Sequence, residues 1–451
     1  MITTSYTTPR SDRELVVVAV VVCLALFVIL SILIPQSQVP LLIVVFIGTN
    51  MLSKTKFFGS LVSRVAPEIS KAITKSKFPK NYESSANSTN YNQFLQLNEE
   101  SKLELLLAIR SLQSYGVNSK GVNSRRRKLF KLMSWRQQNL CENVGYLRKL
   151  DKIDESIATN QKFLNTLADF AIENYGLTYK DFDYLQNHHN NQQTSASNYR
   201  VIEVLGHINR DWIIDDEIQP LLSYITHQLN KIISEKLKTC IIVPGSGLGR
   251  IAYEIAKLGY AQVRAVEFSG LMHVCNQFIY KNQENHKIFP HVHTCSNFTD
   301  TRSQFTTNEI KPFNKPDNLI LDLQDFRNFE IDDKFDNVVI VSAFFIDTAE
   351  NLIDYFDKIK QLTMPMRNNN INHGYWINVG PLKYGSAAQV ELNADEIKQI
   401  RKQMGWKDID YRNEVDTRQL VGYVTNKQSF WQGYYGLTKW TSERKENGNK
   451  I

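Results

Sequence analysis

The run Gly245-Ser246-Gly247-Leu248-Gly249-Arg250 follows the β-rich stretch CIIVP and leads straight into a helical pattern. Glycines at such a junction allow a tight turn and close backbone approach to a ligand, and the start of a helix offers unpaired N–H groups to a negative charge. Glu267, twenty residues after Gly247, ends the next β-rich stretch. A carboxylate there can accept from both hydroxyls of a ribose. Together these residues imply a cofactor that contains a nucleoside; the bland alternative is a glycine-rich turn beside a solvated glutamate.

The spacing also bears on which cofactor. The dinucleotide fingerprint is GxGxxG, but here the third glycine comes one residue early and Arg250 stands in the expected place. A GxGxG pattern is more typical of enzymes that use S-adenosylmethionine, which need no pyrophosphate cradle and often place a second acid after the third strand, near the adenine. Asp325-Phe326 in LDLQDFRNF is suitably placed for that role. An NAD-dependent oxidoreductase stays open as the rival on these residues. The remaining acid is Asp347, which follows the apolar run NVVIVSAFFI. At the C-terminal end of a strand, a carboxylate can hold and deprotonate an N–H nucleophile; alternatively it caps the helix that follows.

These residues need a scaffold, and the chain supplies an alternating pattern. TCIIVP, QVRAVEFS, DNLILDL, DNVVIVSAFF and GYWINVGP interleave with helical runs such as RIAYEIAKLG and AENLIDYFDKIKQL. Alternation of this kind predicts an α/β, Rossmann-like, open and mostly parallel sheet with helices on both faces, whose ligands bind at the C-terminal ends of the strands. That domain is expected over residues 196–451. Residues 93–195 show apolar residues at three and four, as in LELLLAIRSL, and predict a helical region containing the basic run Arg125-Arg126-Arg127-Lys128.

Ahead of it, residues 53–92 read as a basic and polar linker, and residues 1–14 as a tail. Between them, residues 15–34 run for twenty positions without a charge. Twenty helical residues span the ~30 Å hydrocarbon layer. A cleaved signal peptide is the competing reading, but its apolar stretch is shorter and ends in small residues. Residues 15–52 are therefore expected to form a membrane anchor, as one span or a hairpin. The lysines and arginines downstream place the catalytic domain on the cytosolic side.

Composition narrows the classes further. With 451 residues and a net charge of +7 there is enough chain for two or three domains, and the basic excess is too modest to call for a nucleic-acid partner. The five cysteines form no CxxC pair, which argues against a disulfide framework or a cysteine-rich zinc site. His291, His293 and Cys295 alternate in HVHTC as they would on one face of a strand, yet nothing nearby completes a zinc set, so no metal is expected.

In order along the chain, VPGSGLGRIAYEIAKLGY, EFS, FPHVHTCSN, DLQDF, FFIDTAENLIDYFDKI and GYWINVGPLKY resemble the carnosine N-methyltransferase family, with INRDW and LRKLDKIDESIATNQKFL resembling its helical N-terminal portion. The similarity covers about residues 130 to 440. It implies a class I methyltransferase sheet, S-adenosylmethionine as cofactor, and methylation of an imidazole nitrogen in carnosine or a related histidine-containing compound or peptide. On the same basis Arg210, Gly245, Gly247, Arg250, Glu267, Asp325 and Phe326 would contact the cofactor. Asp347 would hold the imidazole, and His293, Tyr384, Tyr434 and Tyr435 would line the substrate side. Two departures stand out. The family commonly has a histidine after GPLLY, where this chain has Gly385 in PLKYG, and a glutamine where this chain has His207. His207 could still donate to the cofactor carboxylate. The missing imidazole leaves the methyl acceptor open, and a catalytically inactive, membrane-tethered relative is a further alternative.

Overall fold

A computed structural model describes residues 89–188, 194–332, 335–364 and 373–444. The sheet it shows has seven strands: β1 (Thr239–Pro244), β2 (Gln262–Glu267), β5 (Leu319–Leu323), β6 (Asn337–Ala343), β7 (His373–Gly380), β8 (Trp406–Glu414) and β11 (Leu437–Arg444). Short two-stranded pieces complete the numbering: β3 (His286–Ile288) with β4 (Asn308–Ile310), and β9 (Val421–Gly422) with β10 (Tyr434–Tyr435). The order across the large sheet is β5-β2-β1-β6-β7-β11-β8. The first five of these pair in parallel, whereas β11 runs antiparallel to both β7 and β8. The chain enters at β1, winds outward to β5, then returns to β6 on the other side, so strand order reverses between β1 and β6. This is the Rossmann-like class I methyltransferase fold, and a crevice opens where the order reverses.

Twelve helices are described: α1 (Thr89–Gln96), α2 (Glu99–Lys131), α3 (Trp135–Asn143), α4 (Tyr146–Asn174), α5 (Tyr179–His188), α6 (Thr194–Ile208), α7 (Gln219–Ile232), α8 (Arg250–Ala256), α9 (Gly270–Lys281), α10 (Thr301–Gln304), α11 (Leu352–Leu362) and α12 (Ala394–Gln403). The sheet has apolar residues on both faces because helices cover both. Ile241, Val243, Val339 and Val341 pack with Leu221, Ile225 and Leu229 of α7 and with Ile255 of α8. Their alternates Cys240, Ile242, Val338 and Ile340 pack with Leu352, Phe356 and Ile359 of α11 and with Trp376 and Trp440. The period of two along each strand divides one hydrophobic run between two cores.

The long helices α2 and α4 pack on each other and onto α9. Asn98 caps α2 by accepting from the Ser101 amide, and Glu99 and Glu100 occupy its first turn, where negative charge suits the helix dipole. The Ser101 hydroxyl donates to the Leu323 carbonyl at 2.8 Å, seating that end of α2 on the edge of β5. A Cβ added to Gly270 would lie 2.4 Å from the Glu104 carbonyl oxygen, so only glycine at the start of α9 admits so close an approach.

Two expectations need correcting. The anchor expected over residues 15–52 lies outside the described residues. Among the described residues no helix is long and apolar enough to cross a membrane, so the placement of the protein on a membrane with a cytosol-facing domain is withdrawn. The second concerns HVHTC: residues 290–293 form a turn rather than a strand, and the strand expected there ends at Ile288.

Candidate active site

At the C-terminal ends of β1, β2, β5 and β6 lies a cavity of about 620 Å³. The loop after β1 forms its base. Gly245 and Gly247 both have left-handed backbones, with φ of 56° and 55°. A Cβ on Gly245 would lie 2.3 Å from the Phe345 ring, whereas one on Gly247 would meet nothing within 4 Å. The first glycine is required for packing, and the second leaves the loop backbone open to a ligand.

Glu267 ends β2 under this loop. Its Oε2 accepts from the Gly247 amide at 2.7 Å and its Oε1 from the Ser269 amide at 2.8 Å. Burial raises its carboxyl above the ordinary range, against the pull of these donors. After β5, Asp325 caps the 3-10 turn Phe326–Asn328 and pairs with Arg327 at 2.5 Å. Burial pushes the Asp325 carboxyl up, but the Arg327 hydrogen bonds and charge outweigh it and hold the group below its usual range. Phe326 meets Phe345 edge-on at 5.6 Å, and Phe345 stacks on Tyr355 at 4.4 Å, giving an aromatic patch beside the carboxylates.

The opposite wall comes from α6 and the wider π-type turn Asn209–Ile213 that continues it. Arg210 donates to Asp211 at 2.5 Å and lies 4.6 Å from the centre of the Tyr423 ring. His207 meets the same ring edge-on at 5.4 Å. Burial, reinforced by the Arg210 charge, pushes the His207 imidazole down to about 4, so it is neutral at physiological pH. Arg250 also lines the cavity, but its guanidinium donates to the Asp211 carbonyl at 2.6 Å and to Glu254 at 3.0 Å. It fastens the π-type turn to α8.

The structure thus brings His207, Arg210, Gly245, Gly247, Arg250, Glu267, Asp325 and Phe326 to one cavity. Asp347 sits in the 3-10 turn Ile346–Thr348; its chain neighbours Phe344, Phe345 and Thr348 line the cavity, and Asp347 itself is not among the lining residues. Its carboxylate is buried, its Oδ2 accepts from the Lys383 amide at 2.9 Å, and burial raises its carboxyl against the pull of that bond. It does not cap the following helix, because Asn351 caps α11. The other expected substrate-side residues are spread more widely. Tyr435 packs edge-on against Phe344 with ring centres 6.1 Å apart, Tyr384 donates to the Leu392 carbonyl at 2.8 Å, and Tyr434 is exposed and donates to Gln432. His293 instead pairs with Tyr115 of α2 at 2.6 Å, in a network where Asn160 of α4 also donates to Tyr115.

Sequence reasoning missed Tyr423 and Phe344. Tyr423 lines the cavity over Arg210 and stacks on Phe344 at 5.0 Å. It follows a two-residue strand in a stretch without periodicity, so no pattern in the residues marks it. Phe344 has a left-handed φ of 51°, a conformation that costs a bulky residue about 1–3 kcal/mol and recurs at functional sites.

The sequence model for carnosine N-methyltransferase matches residues 187–446, more than half of the chain. The chain belongs to the carnosine N-methyltransferase family. It is 27% identical over 360 residues to the carnosine N-methyltransferase of Schizosaccharomyces pombe, covering 71% of this chain and 90% of that one. To the rat carnosine N-methyltransferase it is 28% identical over 356 residues, covering 72% and 82%. An uncharacterized protein of Saccharomyces cerevisiae is 29% identical over 367 residues, covering 73% and 79%. A crystal structure of magnesium protoporphyrin IX methyltransferase from Synechocystis with bound SAH overlaps 59% of this chain and 94% of that one, at 13% identity and a TM-score of 0.30.

Membership in the carnosine N-methyltransferase family makes this an S-adenosylmethionine-dependent N-methyltransferase, and the NAD reading is set aside. The residues fit that cofactor. Gly247 opens its loop toward the cavity, Glu267 stands on β2 with both oxygens oriented by amides, and an acid and an aromatic ring follow β5.

Proposed function

We propose that the protein methylates an imidazole nitrogen of carnosine or a related histidine-containing compound, with Asp347 orienting the acceptor. The observation that carries this reading is the buried Asp347 carboxylate at the C-terminal end of β6, oriented by the Lys383 amide and adjoining the cavity wall at Phe345 and Thr348.

Glu267 would accept from the ribose hydroxyls, Asp325 and Phe326 would flank the adenine, and Arg210 would pair with the amino-acid carboxylate. His207, neutral and beside Arg210, would add a donor there. When bound, S-adenosylmethionine supplies a methyl group on a positively charged sulfur. The work left to the protein is alignment, which can lower a barrier by up to about 7–11 kcal/mol. A carboxylate accepts through both oxygens, and the Lys383 amide uses one position on Asp347. Asp347 would accept the N–H of the acceptor ring. That bond turns the lone pair of the other ring nitrogen toward the cavity and balances the positive charge that grows on the ring.

The deciding experiment is incubation of the purified protein with methyl-labelled S-adenosylmethionine and a panel of histidine-containing small molecules and peptides. Label on a ring nitrogen, located by NMR, supports the reading; label only on an amine, carboxylate or sulfur overturns it.

A further inference from the structure

The residue whose amide holds Asp347 also carries a charge that the reading above does not use. Lys383 follows β7, in Pro381-Leu382-Lys383-Tyr384. Its amide donates to the Asp347 carboxylate at 2.9 Å, while its ammonium donates to the Tyr435 hydroxyl at 3.2 Å and lies 5.6 Å from the centre of that ring. Tyr435 packs edge-on against Phe344 and Tyr423, each with ring centres 6.1 Å away, and both of those rings line the cavity. One residue therefore connects the aspartate to the aromatic wall. Two positions on, a Cβ added to Gly385 would meet nothing within 4 Å.

A lysine ammonium has three donors and no acceptor, and one of them is used by Tyr435. Because the Tyr435 oxygen accepts that bond, its own O–H is left to donate outward. Among the described residues the ammonium pairs with this phenol rather than with a carboxylate. Lys383 and Tyr435 thus present two donor groups and one positive charge, a set that suits the two oxygens and single negative charge of a carboxylate. A phosphate monoester carries a charge of about −1.5 to −2 at pH 7, more than one ammonium balances.

We propose that Lys383, acting with the Tyr435 hydroxyl, is the specificity determinant for a carboxylate on the methyl acceptor. The substrate class is then imidazole compounds that carry a free carboxylate close to the ring, as histidine-containing dipeptides with an unblocked C-terminus do. The inference rests on the acceptor reading above and deepens it.

The test compares kcat/KM of the full chain for carnosine, for its decarboxylated analogue β-alanylhistamine and for the imidazole phosphate histidinol phosphate. The native protein should prefer carnosine over the decarboxylated analogue by about fivefold to tenfold, mainly through KM, the size expected for one exposed charge-assisted contact. Lys383→Leu keeps the amide on Asp347 and should bring that ratio close to one. Lys383→Arg should restore the preference and Lys383→Glu should invert it. An unchanged ratio in Lys383→Leu, or no preference in the native protein, overturns the role of Lys383 while leaving ring methylation intact. Preference for the phosphate overturns the carboxylate assignment. Failure to methylate any imidazole compound overturns the acceptor reading itself, and this inference with it.

Discussion

The amide of Gly247 donates to Oε2 of Glu267 at 2.7 Å. The glycine-rich loop after β1 and the carboxylate at the end of β2 are therefore one unit, and disturbing either reshapes the base of the cavity.

Glu267→Gln tests this coupling. Glutamine has one acceptor oxygen and cannot accept from both the Gly247 and Ser269 amides as Glu267 does. Loss of a charged acceptor should weaken S-adenosylmethionine binding about tenfold or more, read by calorimetry. Affinity within twofold of the native protein would exclude Glu267 from the cofactor site.

Asp347→Asn should leave cofactor affinity near normal while lowering turnover by about 10²-fold or more, as loss of a positioned proton acceptor does. Because burial raises the Asp347 carboxyl, the acid limb of the native rate should hold, beside protonation of the acceptor imidazole itself, a component above the ordinary aspartate range that Asp347→Asn lacks. Single-turnover rates across pH check both points, and an unaltered rate in the variant removes Asp347 from the reaction.

Glu217 holds the loop that carries Tyr423. Its oxygens accept from the Val424 amide at 2.7 Å and the Thr425 amide at 2.8 Å, and Val424 has a left-handed φ of 54° that few β-branched residues adopt. Glu217→Ala should release this turn, lower the unfolding free energy by about 1–3 kcal/mol and raise KM for the cofactor as Tyr423 leaves Arg210. Denaturant melts alongside initial rates separate the two effects; a change in stability with no change in KM would mean that Tyr423 plays no part in the site.

Stability should fall in mild acid. His207, His273 and His293 are each pushed from 6.5 down to about 4, chiefly by burial. An unfolded chain binds these protons near pH 6.5 while the folded chain resists them until about pH 4. Their contribution is thus complete above pH 6.5 and is lost as pH falls through that window, at about 1.4 kcal/mol per pH unit for each group. Urea melts at pH 7.5 and 5.5 read the loss directly, and His273→Gln should reduce the slope by one proton. Equal midpoints at the two pH values would contradict the burial of all three.

The parallel strands and the glycine-rich loop after β1 were legible because each announces itself locally. CIIVP is a continuous apolar run, as a strand covered on both faces must be, and Gly245, the first glycine after it, stands where a side chain would strike Phe345. Glu267 and Asp325 could be read from their place in the β/α alternation, the one closing the second strand and the other standing two residues past the third. What escaped notice depends on contacts distant in sequence. Tyr423 owes its position to Glu217, more than two hundred residues earlier, and His293 is held by Tyr115 of α2. Neither partner leaves a trace in spacing. The alternation in HVHTC was misleading because a turn, held by the Asn160 side chain on the backbone of Phe289, displaces the strand that the pattern suggests.

The first turns of α2 rest on the sheet edge, and Glu100 and Glu104 face the same cavity as Glu267 although they precede the family-matched residues. Helix α2 is consequently part of the cavity wall rather than an appendage to it. A chimera that exchanges only the portion from residue 187 onward would join two walls shaped for different guests, so a change of acceptor during descent should leave compensating changes on both sides of that boundary.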